Sequence, residues 1–315
     1  MSAALSASVD VVVAGVAVAD IIGRPIDIRH PPAKGGLQLL DSITLTTGGN
    51  VSNSGIDLAK MGFRVAAITR IGNDTLGEFI RSQYKRYGLH TDGVVVDPRL
   101  QTAATFVAVD EQGERTFLHT RGCLEKFRKQ DILRSLPIIQ RARVFAFGYL
   151  GLLHEIEEDL PAICAAVKKQ SHAQVLVDTG GNPRRAPALM RRLLPFVDFF
   201  IPSHDEAAVL TGEQKPENII RQLRRWGAAG VVGVKLGADG CYIASPEGAA
   251  YVQAVRVRRV VDATGAGDAF VAGFLAATLK GFEPIHAARV ANAVAASCVT
   301  AVGASTAIRP FTHYI

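Results

Sequence analysis

Residues 262–274 have the sequence DATGAGDAFVAGF and predict the end of a strand, a tight turn and the start of a helix near Asp268. The small residues Gly265, Ala266 and Gly267 let the backbone approach a ligand closely. The first N–H groups of a helix have no partner within it and, together with the helix dipole, suit a phosphate. A carboxylate placed in such a site would repel a phosphate, unless it accepts a proton from a nucleophile aimed at that phosphate.

Phosphoryl transfer requires that arrangement. A carboxylate orients and deprotonates the substrate hydroxyl, while backbone dipoles stabilise the charge on the moving phosphoryl group. Asp268 is the predicted base, and the helix start is expected to favour its ionised form. Taken singly, Asp268 could also be an N-terminal helix cap, and Asp262 could simply end a strand.

Around this segment the chain alternates predicted strands and helices. Val9–Val16 is a Val-rich run that is apolar except for Asp10, typical of a buried strand. The regular alternation after about residue 130 indicates an α/β fold with a mostly parallel sheet covered on both faces. Two further stretches, residues 23–47 and 102–120, have the pattern of short hairpins and predict a second, smaller sheet. The predicted division is an α/β core of residues 1–22, 48–101 and 121–315, with a β-sheet lid of residues 23–47 and 102–120.

Composition excludes several classes of protein. Of the 315 residues, 48% are hydrophobic and 20% charged, which is a globular balance. No apolar run approaches the length needed to cross a bilayer, so no membrane association is expected. The first eight residues contain no Lys or Arg, which argues against a targeting peptide. The four cysteines lie far apart, which favours buried free thiols and a cytoplasmic location.

The net charge of +6 comes partly from short basic clusters. They do not form one continuous stripe with interleaved aromatic residues, so a nucleic-acid partner is not expected. A polyanionic small ligand suits this positive balance better. The clusters are Arg184-Arg185, Arg191-Arg192, Arg224-Arg225 and Arg256–Arg259.

The 262–268 string, with Gly48-Gly49-Asn50-Val51-Ser52-Asn53 upstream, resembles the PfkB or ribokinase family of carbohydrate kinases. The resemblance runs from Val11 to about Pro310. It implies a ribokinase-like three-layer sandwich with a small β lid, and ATP-dependent phosphorylation of a hydroxyl of a sugar or sugar derivative. It further implies Mg²⁺ as the partner of ATP and a homodimer formed through the lid.

The resemblance also implies roles for individual residues on the sugar side. Asp268 would be the catalytic base, and Gly265, Ala266 and Gly267 would form the anion hole. The residues expected to hold the sugar are Asp20, Gly48, Gly49 and Asn53. Without the resemblance, Asp20 could equally end a strand, and the two glycines could form a plain turn before a helix.

On the nucleotide side, the resemblance implies that ATP is bound by Ser203, Glu206, Lys235, Gly237, Gly240 and Asn292. Glu206 would also organise Mg²⁺ through water, whereas Ser203 stands where the family usually has Asn. Taken alone, the glycines after Lys235 predict a hairpin turn, and Asn292 could face solvent. Many relatives bind K⁺, and the matching positions here are Asp262, Thr264, Cys298 and Gly303.

Departures from the ribokinase pattern bear on the substrate. Val18 replaces an Asn, Asn50 replaces a Lys, and no Glu occurs in Gly148–Gly151, so ribose specificity is not supported. An apolar Val18 suits a nucleoside base, which keeps an adenosine-type nucleoside kinase as an alternative. A non-catalytic sugar or nucleotide sensor is the second alternative. A nicotinamide dehydrogenase is excluded because Gly15–Asp20 lacks the required glycine spacing.

Overall fold

The computed structural model describes residues 8–181 and 186–315. Arg184-Arg185 and the first seven residues therefore lie outside the described part. Within it, strand β1 (Val9–Gly15) lies in the interior of the larger sheet, between two parallel neighbours. β-Branched Val residues fill this strand, as expected for a strand buried on both faces.

Alternate side chains of the central strands point into two separate hydrophobic cores. Val12 of β1 and Phe145 of β8 belong to one core, and their neighbours Val11 and Val144 belong to the other. The pleat imposes this alternation, because successive side chains of a strand point to opposite faces. Two buried faces need two layers of helices, which makes a three-layer sandwich.

Nine strands form the larger sheet, in the order β13-β12-β11-β10-β9-β8-β1-β4-β5. They are parallel from β11 to β5, whereas β12 runs antiparallel to both of its neighbours, β11 and β13. The strands of this sheet are β1 (Val9–Gly15), β4 (Val65–Gly72), β5 (His90–Asp97), β8 (Ala142–Leu150), β9 (Gln174–Thr179), β10 (Phe199–Phe200), β11 (Val231–Lys235), β12 (Cys241–Ser245) and β13 (Gly248–Val252).

The second sheet has the order β3-β2-β6-β7. Its first strand begins at Val18 and includes Asp20, so this sheet starts earlier in the chain than the predicted lid segment 23–47. Division of the chain into a core and a lid stays a prediction. The strands are β2 (Val18–Arg24), β3 (Ser42–Gly48), β6 (Ala104–Val109) and β7 (Arg115–Thr120).

Helices cover both faces of the larger sheet. α1, α10 and α11 contribute to one core, while α6, α7 and α9 contribute to the other. The helices are α1 (Asn50–Lys60), α2 (Thr75–Arg86), α3 (Lys129–Leu133), α4 (Leu136–Ile139), α5 (His154–Glu157), α6 (Leu160–Gln170), α7 (Pro187–Leu193), α8 (His204–Thr211), α9 (Pro216–Arg225), α10 (Ala266–Leu279) and α11 (Pro284–Cys298).

The mostly parallel sheet, its helices and the small second sheet agree with the predicted architecture. Two strands, β5 and β13, were not predicted; β13 is largely exposed and β5 is only partly buried, so their apolar patterns are weak. Among the described helices, none is both long and apolar enough to cross a membrane.

Candidate active site

Two predicted site residues, Asp268 and Lys235, lie at one edge of the larger sheet together with Tyr149 and Asp178, which were not predicted. Parallel strands place their carboxyl ends at the same edge, where ligands of such folds bind. Tyr149 lies at the end of β8, Asp178 at the end of β9, and Lys235 at the end of β11. The amino-terminal end of α10 lies at this edge as well, because Asp268 contacts Tyr149.

Gly265 is the N-cap of α10, with a φ of 77° that a residue with a side chain rarely adopts. Asp268 therefore lies inside the first turn, and the alternative in which it caps the helix is wrong. A Cβ atom added to Gly267 would meet only the Lys235 ammonium, at 3.5 Å. The backbone of this turn is thus bare on the side that faces Lys235.

The Asp268 carboxylate is 4% exposed and its two oxygens have different surroundings. Oδ2 accepts hydrogen bonds from Asn53 Nδ2 at 2.8 Å and from the Tyr149 hydroxyl at 2.5 Å. Oδ1 is buried without a hydrogen-bond partner among the described residues. A buried acceptor without a hydrogen-bond donor costs free energy of folding, unless a ligand supplies the donor.

Burial raises the pKa of Asp268, although Tyr149, Asn53 and the Lys235 ammonium act in the opposite direction. The expectation that the helix start would favour the ionised form is wrong in its net direction. Desolvation of a carboxylate enclosed by protein outweighs the stabilising donors around it.

Two residues that contact Asp268 depart from the sequence prediction. Asn53, predicted to hold sugar, directs its amide nitrogen at Asp268. Tyr149 was not predicted at all; the only indication in the sequence was that the family's Glu is missing from this strand end. Gly180 makes room for the Tyr149 ring, since a Cβ atom there would lie 2.1 Å from the ring's Cγ.

Lys235 and Asp178 form a buried ion pair beside this turn. Lys235 Nζ lies 3.0 Å from Asp178 Oδ1, and the two side chains are 11% and 7% exposed. Burial raises the pKa of Asp178 to about 6, against the effect of the Lys235 charge. Burial acts to lower the pKa of Lys235, but the Asp178, Glu206 and Asp268 carboxylates together outweigh it and raise the pKa, so the ammonium keeps its proton.

Glu206 is held by three donors on a single oxygen. Its Oε2 accepts from Thr179 Oγ1 at 2.5 Å, from Ser203 Oγ at 2.6 Å and from Ser203 N at 3.2 Å. Ser203 is the N-cap of α8 and forms a capping box with Glu206. Oε1 accepts no hydrogen bond from the described residues, so it can accept one from a ligand or a water. The described residues contain no group of three His, Cys, Asp or Glu side chains placed to hold a metal ion.

The remaining residues predicted to bind nucleotide lie near the end of β11. Gly237 and Gly240 flank the turn between β11 and β12, two antiparallel strands, which confirms the predicted hairpin. Asn292 is buried and donates to the carbonyls of Val252 at 3.1 Å and Gln253 at 3.0 Å. The alternative in which Asn292 faces solvent is therefore wrong.

Asp20 lies within β2, where it is paired with Thr46 on one side and Thr105 on the other, so it does not end a strand. With His119 of β7, these side chains form one polar row across the second sheet. A Cβ atom on Gly48 would lie 2.2 Å from Asp20 Oδ2, so the carboxylate lies directly against that glycine. Burial raises the pKa of Asp20 to about 6, despite a hydrogen bond from Thr105.

Four residues predicted for a potassium site do come together. Asp262 accepts from Thr264 N at 2.7 Å and Gly303 N at 2.8 Å, and the Cys298 thiol donates to the Thr264 carbonyl at 3.4 Å. Arg115 of β7 reaches Asp262 at 2.5 Å. A protein cation from the second sheet is thus bound to the loop that precedes α10.

A cavity of about 280 Å³ lies between the second sheet and the loop after β8. The cavity borders the predicted sugar site through Val16. The Val16 carbonyl would lie 2.4 Å from a Cβ atom on Gly49, so this residue lies directly against that glycine. Polar and apolar side chains both line the cavity, including Val16, His119, Arg121, Lys126, Leu153 and His154.

Comparison with known proteins identifies this arrangement. The sequence profile described as "pfkB family carbohydrate kinase" matches residues 9–310. The chain belongs to the pfkB family of carbohydrate kinases. It is therefore a sugar kinase, and the predicted family resemblance is confirmed.

Relatives of this pfkB-family kinase differ in substrate. The 2-dehydro-3-deoxygluconokinase of Bacillus subtilis (strain 168) is 28% identical over 298 residues, 89% of each chain. The aminoimidazole riboside kinase of Salmonella typhimurium (strain LT2) is 31% identical over 277 residues, 84% of this chain and 85% of that protein. The structure of an Arabidopsis thaliana ribokinase complexed with ribose and ATP aligns with a TM-score of 0.82 and 25% identity over 98% of each chain. The last comparison confirms the ribokinase-like fold.

Proposed function

We propose that this kinase transfers the γ-phosphoryl group of ATP to a hydroxyl of a sugar or sugar derivative, with Asp268 as the base. The observation that carries the proposal is the asymmetry of the Asp268 carboxylate. Oδ2 holds two donors, whereas Oδ1 is buried and free. A substrate hydroxyl supplies the missing donor, and the same contact removes its proton during attack. The N–H groups of Gly265, Ala266 and Gly267 receive the phosphoryl charge.

The sugar would be held by the second sheet and the turn before α1. The Asp20 carboxylate lies against Gly48, with Gly49 next to it, and a carboxylate can accept hydrogen bonds from two neighbouring hydroxyls. Asn53, which contacts Asp268, is better placed to orient the base than to grip the sugar. The 280 Å³ cavity next to Gly49 would take the part of the substrate that extends beyond its reacting hydroxyl.

On the nucleotide side, Lys235 would contact the phosphates. Its ammonium is the group that comes closest to Gly267, within the proposed anion hole. Gly237, Gly240 and Asn292 would border the rest of the nucleotide. Mg²⁺ would arrive with ATP, bound mainly by phosphates and waters, and the free Oε1 of Glu206 would accept from one of those waters.

A potassium ion beside the anion hole is part of the proposal, at Asp262, Thr264, Cys298 and Gly303. Support comes from the clustering of these residues around the loop before α10. Carbonyl oxygens are suited to a weakly hydrated monovalent cation. An ion there would stabilise the loop that carries the anion hole.

We also propose a homodimer formed through the second sheet and a cytoplasmic location. Leu45, Ile21, Phe106 and Leu118 lie directly opposite one another across the four strands. This row faces away from the Asp20 row, and Leu118 is 55% exposed. An apolar sheet face of this kind is suited to a second copy. All four cysteines are free and buried, as expected for a reducing compartment.

A nucleoside is the second candidate for the substrate. The Val18 side chain lies 3.0 Å from a Cβ atom built on Gly48, so an apolar surface borders the proposed sugar site. A nucleoside base could pack there, while its ribose met Asp20. The 31% identity to an aminoimidazole riboside kinase agrees with this alternative.

A substrate screen tests the proposal. Release of ADP is measured with pentoses, hexoses, keto-deoxy acids and nucleosides, with and without K⁺. On the substrate found, Asp268→Asn should lower kcat by roughly 10²–10⁴-fold, because the amide cannot accept the proton. Asp205→Asn makes the same chemical change on an exposed aspartate and should leave kcat unaltered. Normal turnover by Asp268→Asn would refute the base, and binding of ATP and sugar without any ADP release would favour the sensor.

A further inference from the structure

Among the described residues, the Tyr149 hydroxyl donates to the Asp268 carboxylate, and the proposed reaction gives it no role so far. Its O–H donates to Oδ2 at 2.5 Å, on the same oxygen that Asn53 contacts at 2.8 Å. Two donors on one carboxylate oxygen restrict rotation of the group. They leave the other oxygen pointed elsewhere, and it is this oxygen that lacks a partner.

We propose that Tyr149 is a positioning residue: its hydroxyl orients the Asp268 carboxylate so that Oδ1 meets the substrate hydroxyl, and it favours the charged form of the base. This inference rests on the proposed function, because a base must be ionised and correctly directed when the hydroxyl arrives. Asp268 lies in a site where burial already disfavours its charge. Every donor on Oδ2 therefore extends the pH range over which the base is available.

The surroundings of Tyr149 hold it in this position. A Cβ atom on Gly180 would lie 2.1 Å from Cγ and 2.5 Å from Cδ1 of the ring, so the ring rests directly on the Gly180 backbone. Burial raises the pKa of Tyr149, and the Asp268 charge raises it further. The phenol consequently stays protonated and acts as a donor rather than as a second base.

The proton and phosphoryl transfers balance with Tyr149 as a bystander. The substrate O–H proton passes to Asp268 Oδ1, the substrate oxygen bonds to the γ-phosphorus, and the bond from that phosphorus to the β–γ bridging oxygen breaks. ADP leaves with the bridging oxygen, and Asp268 later releases its proton to solvent. Throughout these steps Tyr149 keeps its own proton and its hydrogen bond to Oδ2.

Several other groups also influence the titration of Asp268. They are Asp57 of α1, Asp178 of β9, Glu206 of α8, Lys235 of β11 and Cys298 of α11. Replacing Tyr149 by Phe alters none of them and keeps the ring. A shift in the titration of Asp268 in that variant therefore reports the missing hydroxyl.

The test compares Tyr149→Phe with Tyr251→Phe. Tyr251 also donates its hydroxyl to a carboxylate, that of Glu217 at 2.7 Å, but on the exposed surface. The first readout needs no substrate: infrared difference spectra follow the Asp268 carboxyl against pH, with Asp268→Asn as the subtracted reference. The second readout is the acidic limb of kcat, measured at saturating substrate so that protonation of Asp20 does not contribute. Both should move to higher pH by about one unit in Tyr149→Phe, and neither should move in Tyr251→Phe.

Gly180→Ala provides an independent variant if Tyr149→Phe folds poorly. The added methyl group pushes the ring from behind and should shift the carboxyl titration in the same upward direction. An unshifted titration in Tyr149→Phe or Gly180→Ala refutes the proposal, even if turnover falls. A shifted titration in a protein that phosphorylates none of the substrates supports the Tyr149–Asp268 coupling and counts against the proposed kinase reaction instead.

Discussion

We expect that substitutions in the ion pair between Lys235 and Asp178 affect the thermal stability of the protein and its kcat independently of each other. The two charged atoms lie 3.0 Å apart, and neither side chain is more than 11% exposed. Asp178→Asn leaves a buried ammonium without its main counter-charge. Lys235→Met leaves a buried carboxylate, but Asp178 can lose its charge by taking up a proton, because burial already raises its pKa to about 6. Asp178→Asn should therefore be the more damaging single change.

The size of the effect follows from the burial. Removing one partner of a buried pair costs about 3–5 kcal/mol. The entropy of unfolding is about 2.1 cal/mol/K per residue, so a chain of 315 residues changes its free energy by roughly 0.7 kcal/mol per degree near the midpoint. Asp178→Asn should then lower Tm by about 5–8 °C. In the double variant no buried charge is left alone, so it should recover about 2 kcal/mol relative to the sum of the single changes.

Thermal denaturation of the four proteins in the cycle gives the coupling, and ADP release gives the chemistry. Lys235→Met and the double variant both lack the ammonium near Gly267, so kcat should fall roughly 10²-fold in each, whatever their stability. Additive stability changes would show that the pair is not coupled. A double variant with normal kcat would show that the ammonium does not act on the phosphoryl group.

Three further predictions concern the second sheet. Gly48→Ala places a methyl group 2.2 Å from Asp20 Oδ2, so the substrate KM should rise roughly tenfold. In the control Gly55→Ala, the methyl group in α1 meets the end of the flexible Leu89 side chain at 3.1 Å and Val65 at an ordinary contact distance of 3.8 Å, so KM should stay unchanged in the same steady-state assay. Because burial raises the pKa of Asp20 to about 6, its ionised form is lost as the pH falls through that value, and 1/KM should drop below it by up to about tenfold per pH unit; a flat profile contradicts a sugar-binding carboxylate. Arg115→Gln releases the second sheet from Asp262, and limited proteolysis should cut the β6–β7 hairpin about tenfold faster; an unchanged cleavage rate means that the contact does not hold the sheet in place.

Local sequence was sufficient for the features that a short stretch of backbone determines. Residues 262–268 predicted the bare turn and the helix start, because small residues and unpaired helix N–H groups are local properties. The strand end predicted before Asp262 is wrong, since β13 ends at Val252 and residues 253–265 form no strand. The apolar run at residues 9–16 predicted a strand buried on both faces, and β1 is one. Partly exposed strands were harder: β13 was missed because it buries too few side chains to show an apolar pattern.

Residue types and their spacing thus indicated a parallel α/β fold, a phosphate-binding turn and a carboxylate at its mouth. Tertiary structure decided which side chains meet that carboxylate. Asn53 lies 215 residues from Asp268 in the chain and Tyr149 lies 119 residues away. Their contacts exist only because α1 and α10 begin, and β8 ends, at one edge of the sheet. Burial, which raises the pKa of Asp268, likewise depends on the whole surrounding shell. Backbone conformation follows from neighbours in the chain, but desolvation and hydrogen-bond partners follow from neighbours in space.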